Sequence, residues 1–329
     1  MTLAQSDNPS PAVPRITLID TLRGVALLAM ASYHFTWDLE FFGYLEPGTA
    51  TQGWWKIYAR AIASSFLFLA GVSLVLAHYP NIRWQAFWKR FATVAGAAVA
   101  ISLATLVALP NEWIFFGILH SIAIGSLVGL AFVRLPPLVS GAMAALLVIL
   151  MIVDTAIMPG GLRSEIFNPR YLSWTGFFER APRSNDFVPL FPWLAALLAG
   201  IAATRLAMQR NWLTPFSRVQ TRQNLLARAG RHSLIIYLVH QPVLIAIVYL
   251  SSVVLPPAQP EPRETYIRAC ESGCVTGGNS ETLCRRFCGC TADMLQAQSL
   301  IEPLQSGSIA PQTDQRVLDI AQECAIVSQ

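Results

Sequence analysis

The sequence predicts an all-α fold: a polytopic membrane helix bundle of about seven spans, with a small disulfide-rich helical domain at its C-terminal end. Three observations predict it. Only 13% of the 329 residues are charged, against roughly 25% in a soluble domain, while 54% are hydrophobic and the mean hydropathy is +0.47. Apolar segments recur at about 17–42, 54–78, 87–109, 113–133, 137–157, 188–208 and 233–255, each able to cross a hydrocarbon core of about 30 Å as a helix. All six cysteines lie from Cys270 onward, and none lies in the apolar part. Three regions follow: a polar tail at 1–15, a transmembrane domain at 16–255 and a cysteine-rich domain at 256–329. The tail has no basic n-region and the apolar run after it is too long for a signal-peptide core, so no cleaved signal is expected.

The first apolar segment holds Asp20, Arg23, His34 and Asp38. At about 100° per residue these four fall within roughly 60° of one another, as a single polar stripe. A charged stripe at membrane depth faces the bundle interior, a watery cavity or its own partners, which makes this helix the first candidate for a functional site. Asp20 and Arg23 are three residues apart and either neutralise each other or contribute to an anion site. His34 and Asp38 are four apart, where a carboxylate can orient an imidazole, fix its tautomer and raise its basicity. Such an imidazole serves as general base toward an alcohol or amine, or as a covalent acyl acceptor. The plainer alternative is a packing hydrogen bond.

Arg60, in the second segment, pairs with Asp38 or Glu40, binds an anionic group, or snorkels to lipid headgroups. His120, in Phe116-Gly-Ile-Leu-His-Ser121, and His240, in Tyr237-Leu-Val-His-Gln-Pro242, lie inside the fourth and seventh segments. They either converge with His34 and Gln241 on one cavity or are satisfied between helices. Pro242 frees backbone groups that neighbours or water must satisfy. Asp186, in Ser184-Asn-Asp-Phe-Val-Pro-Leu-Phe-Pro-Trp193, precedes the sixth segment at the mouth of such a cavity, where the prolines suit a helix start.

Orientation follows from the arginines. With the amino terminus inside, the inner loops hold Arg83, Lys89, Arg90 and Arg134, then Arg205, Arg210, Arg218, Arg222, Arg228 and Arg231. The turns at 43–53 and 110–112 hold no Lys or Arg, and the four arginines of the 158–187 loop are offset by three acids. The positive-inside rule gives N-in, and seven crossings give C-out.

Residues 1–255 carry 18 basic and 10 acidic side chains, a net +8, whereas 256–329 carry 5 and 9, a net −4. The Pro-Pro-Ala-Gln-Pro-Glu-Pro stretch at 256–262 sits at that break as a stiff linker. An even cysteine count in a short outside segment predicts disulfides. Cys270/Cys274 and Cys284/Cys288 each sit four apart on one helix face. Two helices joined at Gly277-Gly278-Asn279 suit nested bridges, Cys270 to Cys288 and Cys274 to Cys284, which leaves Cys290 for Cys324. Six cysteines allow 15 connectivities. Zinc competes, but the tail has no histidine, and no metal is expected.

Several motifs in order carry a family resemblance: Arg15-Ile-Thr-Leu-Ile-Asp-Thr-Leu-Arg23-Gly24, Arg60 with Ser64-Ser-Phe-Leu-Phe-Leu-Ala-Gly-Val-Ser73, Phe116 to His120, Asp186 with Pro189-Leu-Phe-Pro-Trp193, and Gly230-Arg-His-Ser233 with His240-Gln-Pro242. Over about residues 15–255 the chain resembles bacterial members of the heparan-α-glucosaminide N-acetyltransferase catalytic-domain family. Its first helix is also similar to the wider acyltransferase-3 group, in which an arginine and a histidine separated by ten residues mark the active helix, as Arg23 and His34 are. One departure is plain. The lysosomal enzyme of this family has its catalytic histidine after the first span, and here none lies between His34 and His78.

The resemblance implies transmembrane acyl transfer from cytosolic acyl-CoA, in the first place acetyl-CoA, to a hydroxyl or amine of an extracytoplasmic sugar or envelope glycan. His34 and Asp38 are then the catalytic residues, with Asp20, Arg23, Arg60, His120, Asp186, His240 and Gln241 as substrate-binding residues. The arginine-rich 205–231 segment attracts coenzyme A phosphates or only sets topology. A bacterial inner membrane is the expected location, with the lipid bilayer, the acyl donor and the glycan as partners, no nucleic acid, and room for a homodimer. A proton-coupled transporter or an anchor for the cysteine domain are the competing classes. No internal repeat supports the first, and an anchor needs no buried polar stripe.

Overall fold

The computed structural model of the protein describes residues 16–212, 224–257 and 261–328. The polar tail with Arg15, Arg218 and Arg222, and the middle of the proline-rich linker lie outside the described residues. Among those described, all regular structure is helical, with no strand. The chain divides into two compact units, one ending at Leu255 and one beginning at Pro256.

In the first unit each apolar segment becomes a helix: α1 (Thr17–Phe41), α2 (Gly53–His78), α3 (Trp84–Ala108), α4 (Ile118–Phe132), α5 (Pro137–Ile152) running into a π-helical turn at Val153–Ile157, the single turn α6 (Arg170–Ser173), α7 (Leu190–Gln209), α8 (Leu225–Arg231) and α9 (Ser233–Val254). Five are long and apolar enough to cross a membrane: α2, α3, α5 with its π turn, α7 and α9. α1 has 25 residues, about 37 Å, but its charges lower its apolarity. α4 has 15 residues, about 22 Å, shorter than a full crossing. Here the structure departs from the expected 113–133 span. Residues 113–117 are not helical, because the α4 amino terminus is captured by a loop carboxylate described below.

Leu67, Leu74, Leu197, Leu198 and Ile201 form the buried centre where α2 meets α7. The crossing is close enough that a Cβ on Gly71 or Gly200 would fall 2.1 Å from a carbonyl oxygen of the other helix, Leu197 or Phe68. The α1–α8 contact is tighter still: a Cβ on Gly230 would lie 1.7 Å from the Asp20 carbonyl oxygen, and one on Gly24 2.1 Å from that of Leu226. Asn224 caps α8 by accepting from the Ala227 N–H at 2.7 Å. α8 stops at His232, and α9 continues alongside α1, which brings the middle of α9 level with the polar end of α1.

The second unit contains α10 (Pro262–Thr276), α11 (Glu281–Ala297), α12 (Ile301–Gln305) and α13 (Gln315–Ser328). Three disulfides join them: Cys270–Cys288 and Cys274–Cys284 staple α10 to α11, and Cys290–Cys324 ties α11 to α13. The first two are the nested pair that i, i+4 spacing on antiparallel helices favours. Gly278, at φ +91°, makes the turn between those helices. Leu295, Leu300, Ile301, Val317 and Ile320 supply a small core. On the exposed side Arg263 pairs with Asp293 at 2.5 Å, and the Arg316 guanidinium holds the Asp314 carboxyl below its usual range.

Candidate functional site

The polar stripe of α1 is divided by its partners. At its start Arg23 donates to Asp20 at 2.9 Å and also to the Ser73 hydroxyl of α2, so these charges are compensated across two helices. Arg23 nevertheless lines a cavity of about 160 Å³ between α1, α2, α3, α4 and α9, together with Arg90, Ser233 and Tyr237. Arg90 has no acidic partner among the described residues. A second guanidinium at this end of the bundle was not singled out from sequence as a site residue, since Arg90 read only as a topology signal.

The other end of the stripe corrects the expected His34–Asp38 pair. Asp38 is fully buried, and its Oδ1 accepts from the Gln241 amide of α9 at 2.7 Å. His34 packs its ring against His240, with centroids 5.1 Å apart, and against Tyr33 at 5.6 Å. No hydrogen bond joins His34 to Asp38 among the described residues. A buried carboxylate takes the donor that packing presents, and the α9 amide arrives from across the interface, whereas the i, i+4 imidazole is engaged by a second imidazole.

His240 is oriented from its own helix. Its Nδ1 lies 2.6 Å from the Tyr237 carbonyl oxygen, which can only accept, so Nδ1 carries the proton and Nε2 keeps its lone pair. That Nε2, with Asp38 Oδ2 and Gln241 Oε1, is buried without a hydrogen-bond partner among the described residues. Pro242 follows inside α9 and removes one rung of the helical ladder in this turn.

Tyr237 links this group to the loop before α7. Its hydroxyl donates to Asp186 Oδ2 at 3.4 Å, and the same oxygen accepts from the Ile118 N–H at 2.9 Å, at the first turn of α4. An acid on a helix amino terminus meets both unpaired N–H groups and the positive end of the helix dipole. Gly117 leaves the space: a Cβ there would fall 2.3 Å from Asp186 Oδ2. His120 is used differently from His34 and His240. Its Nδ1 accepts from the Gly117 N–H at 3.1 Å, so its Nε2 carries the proton and donates to the Ser102 hydroxyl at 3.2 Å, which in turn donates to the Ile114 carbonyl at 2.6 Å. His120 is thus fully satisfied as a brace for residues 114–117.

Arg60 joins neither candidate acid. Glu40 instead accepts the Gly48 and Ala50 N–H groups at 2.5 and 2.7 Å, folding the turn after α1, and Arg60 stays exposed on α2. Of the 205–231 arginines, Arg205 is buried with its guanidinium 3.5 Å from the Tyr79 ring centroid, while Arg210, Arg228 and Arg231 are exposed. Sequence reasoning missed Tyr237, although its place three residues before His240 on one helix was a usable signal.

Comparison with known proteins finds one family whose description reads heparan-alpha-glucosaminide N-acetyltransferase, catalytic; it matches residues 15–242. The match runs from the start of α1 to Pro242 and so covers every residue of the group described above. No curated protein matches, and no solved structure does.

Proposed function

Since the chain belongs to the heparan-alpha-glucosaminide N-acetyltransferase catalytic family, a group of membrane acetyltransferase type, we propose that it moves an acetyl group from cytosolic acetyl-CoA to a hydroxyl or amine of a sugar on the far side of the membrane. The observation that carries this reading is the meeting of His34 with His240 beside the Asp38–Gln241 pair, inside the matched region.

In the proposed step His240 Nε2 accepts the proton of the acceptor O–H or N–H as its oxygen or nitrogen attacks the thioester carbonyl carbon. The new C–O or C–N bond forms as the C–S bond breaks, and the imidazolium returns the proton to the departing thiolate. His34, in ring contact with His240, holds that ring in place and is the second candidate base. Asp38 Oδ2 and Gln241 Oε1 are acceptors suited to a ligand that brings donors, as a sugar does. Asp186 acts at a distance, through the Tyr237 hydroxyl. On the donor side Arg23 and Arg90 line one cavity, where Arg90, without an acidic partner among the described residues, favours an anion such as a phosphate. His120 drops out of the substrate-binding set because both its nitrogens are engaged.

The arginine distribution supports a cytoplasmic amino terminus, the disulfides support a cysteine domain on the oxidising, periplasmic side, and the resemblance to bacterial members of the family supports an inner-membrane location. Transfer of labelled acetyl from acetyl-CoA in membrane vesicles tests the reading. His240→Ala and His34→Ala should each lower transfer, the first by about 10²–10⁴-fold, the range for a general base. Transfer by both variants at the wild-type rate would overturn the assignment.

A further inference from the structure

Arg60 is a charge that the proposed chemistry leaves unused. It lines a groove of about 1240 Å³ formed by α2, α5, α7 and the loops around α6. The two halves of this groove differ in chemistry. Along most of its length the walls are small and apolar, Gly141, Ala144 and Ala145 of α5 with Ala195, Ala199 and Ala202 of α7. Val148 and Ile149 at its rim are 40% and 55% exposed, so the groove opens sideways, toward the lipid that surrounds a spanning helix. At the end where α2 begins and α5 finishes, the lining changes to Arg60, Asp154, Thr155 and Arg163.

The charges at that end do not cancel. Asp154 is buried and accepts from Arg163 Nε at 2.8 Å and from the Leu162 N–H at 3.1 Å, so its negative charge is committed to Arg163. Arg60 has no acidic partner among the described residues. An arginine set two turns into a spanning helix, beside a long apolar trough, matches one shape of ligand: an anionic head with an apolar chain behind it.

We propose that this groove binds a phosphate-headed anionic membrane lipid, its phosphate against Arg60 and an apolar chain along the alanine walls. The site is separate from the His34–His240 group and does not depend on the acyl-transfer reading. It is nevertheless adjacent to it in one respect. Phe187 and Pro189 line the groove, and both follow Asp186 in the same loop, one and three residues on, so the groove borders the segment that sets the Asp186–Tyr237 contact.

The test is lipid retention by the purified full chain, reconstituted in nanodiscs of equal phosphatidylglycerol and phosphatidylcholine and read by native mass spectrometry. Wild-type protein should retain phosphatidylglycerol in preference. Arg60→Gln should lower that preference about fivefold, the effect of one guanidinium near a membrane surface, and Arg60→Lys should restore most of it. Ala145→Leu, on the exposed side of α5, should reduce retention of both lipids by filling the trough. Equal retention of the two lipids by wild-type protein, an unchanged preference in Arg60→Gln, or a second copy of the chain covering the groove in the nanodisc would each overturn the proposal.

Discussion

His240 and Asp38 show how much of the site is settled by a single bond. The Tyr237 carbonyl can only accept, so it dictates the His240 tautomer and leaves Nε2 as the basic nitrogen. Gln241, one residue on, points to another face of α9 and supplies the donor for Asp38 Oδ1. Removing that donor leaves a fully buried carboxylate with no partner, and a hydrogen bond to a charged group is worth about 1.5–3 kcal/mol. Gln241→Leu should therefore destabilise the membrane unit by roughly that amount, seen as a lowered unfolding midpoint in detergent, and should reduce acetyl transfer. The paired variant Asp38→Asn with Gln241→Leu should recover part of the stability, because the uncompensated charge is gone. Recovery of stability without recovery of transfer would mark the Asp38–Gln241 pair as serving the chemistry as well as the packing.

At the scale of elements, the late start of α4 is the clearest consequence of tertiary contact. Residues 113–133 are one apolar run, yet the helix begins at Ile118 because Asp186 takes the Ile118 N–H and His120 takes that of Gly117. The Asp186 contact needs Gly117 to be without a side chain. Gly117→Ala should push Asp186 off the helix end and loosen its contact with Tyr237. The expected result is a loss of about 1–3 kcal/mol in stability, the usual range for overpacking. Alongside it, deuterium exchange should rise in the loop around Asp186. An unchanged exchange pattern in a stable Gly117→Ala protein would show that the loop is held by other contacts. The glycines at the α1–α8 crossing explain a different boundary. Close backbone approach there sets the height at which α9 begins, and so the level at which His240 meets His34.

At the scale of the whole molecule, two units with opposite net charge are built on different principles. The membrane unit presents apolar surface to lipid and keeps its polar groups inside. The second unit has a core of few residues, which small domains reinforce with covalent links. Its Cys290–Cys324 bridge spans 34 residues, and closing a loop of that length in the unfolded chain is worth about 3–4 kcal/mol in the chain-entropy account. Replacing both cysteines by serine should lower the unfolding midpoint of this unit accordingly, followed by near-ultraviolet circular dichroism. The transfer assay then tells whether the unit serves the reaction: activity retained in a protein with an unfolded tail would mark it as separate from catalysis.

What the sequence determined by itself was everything carried by neighbouring residues. Apolar runs of spanning length, turn and capping residues, and a cysteine spacing of four encode helices and the face they bury, and these depend on periods of a few residues. The membrane bundle, the helical tail with its cysteine pairs, and the Asp20–Arg23 pair were legible for that reason. Only the tertiary structure decided which polar group met which. The Gln241–Asp38 bond joins residues 203 apart in sequence and the Ile118–Asp186 bond residues 68 apart, so no local pattern records either. Asp38 had a partner of correct chemistry four residues away and another across a helix interface. Burial selected the one across the interface, because a charge taken out of water must be met by whichever donor the packing of the helices brings to it.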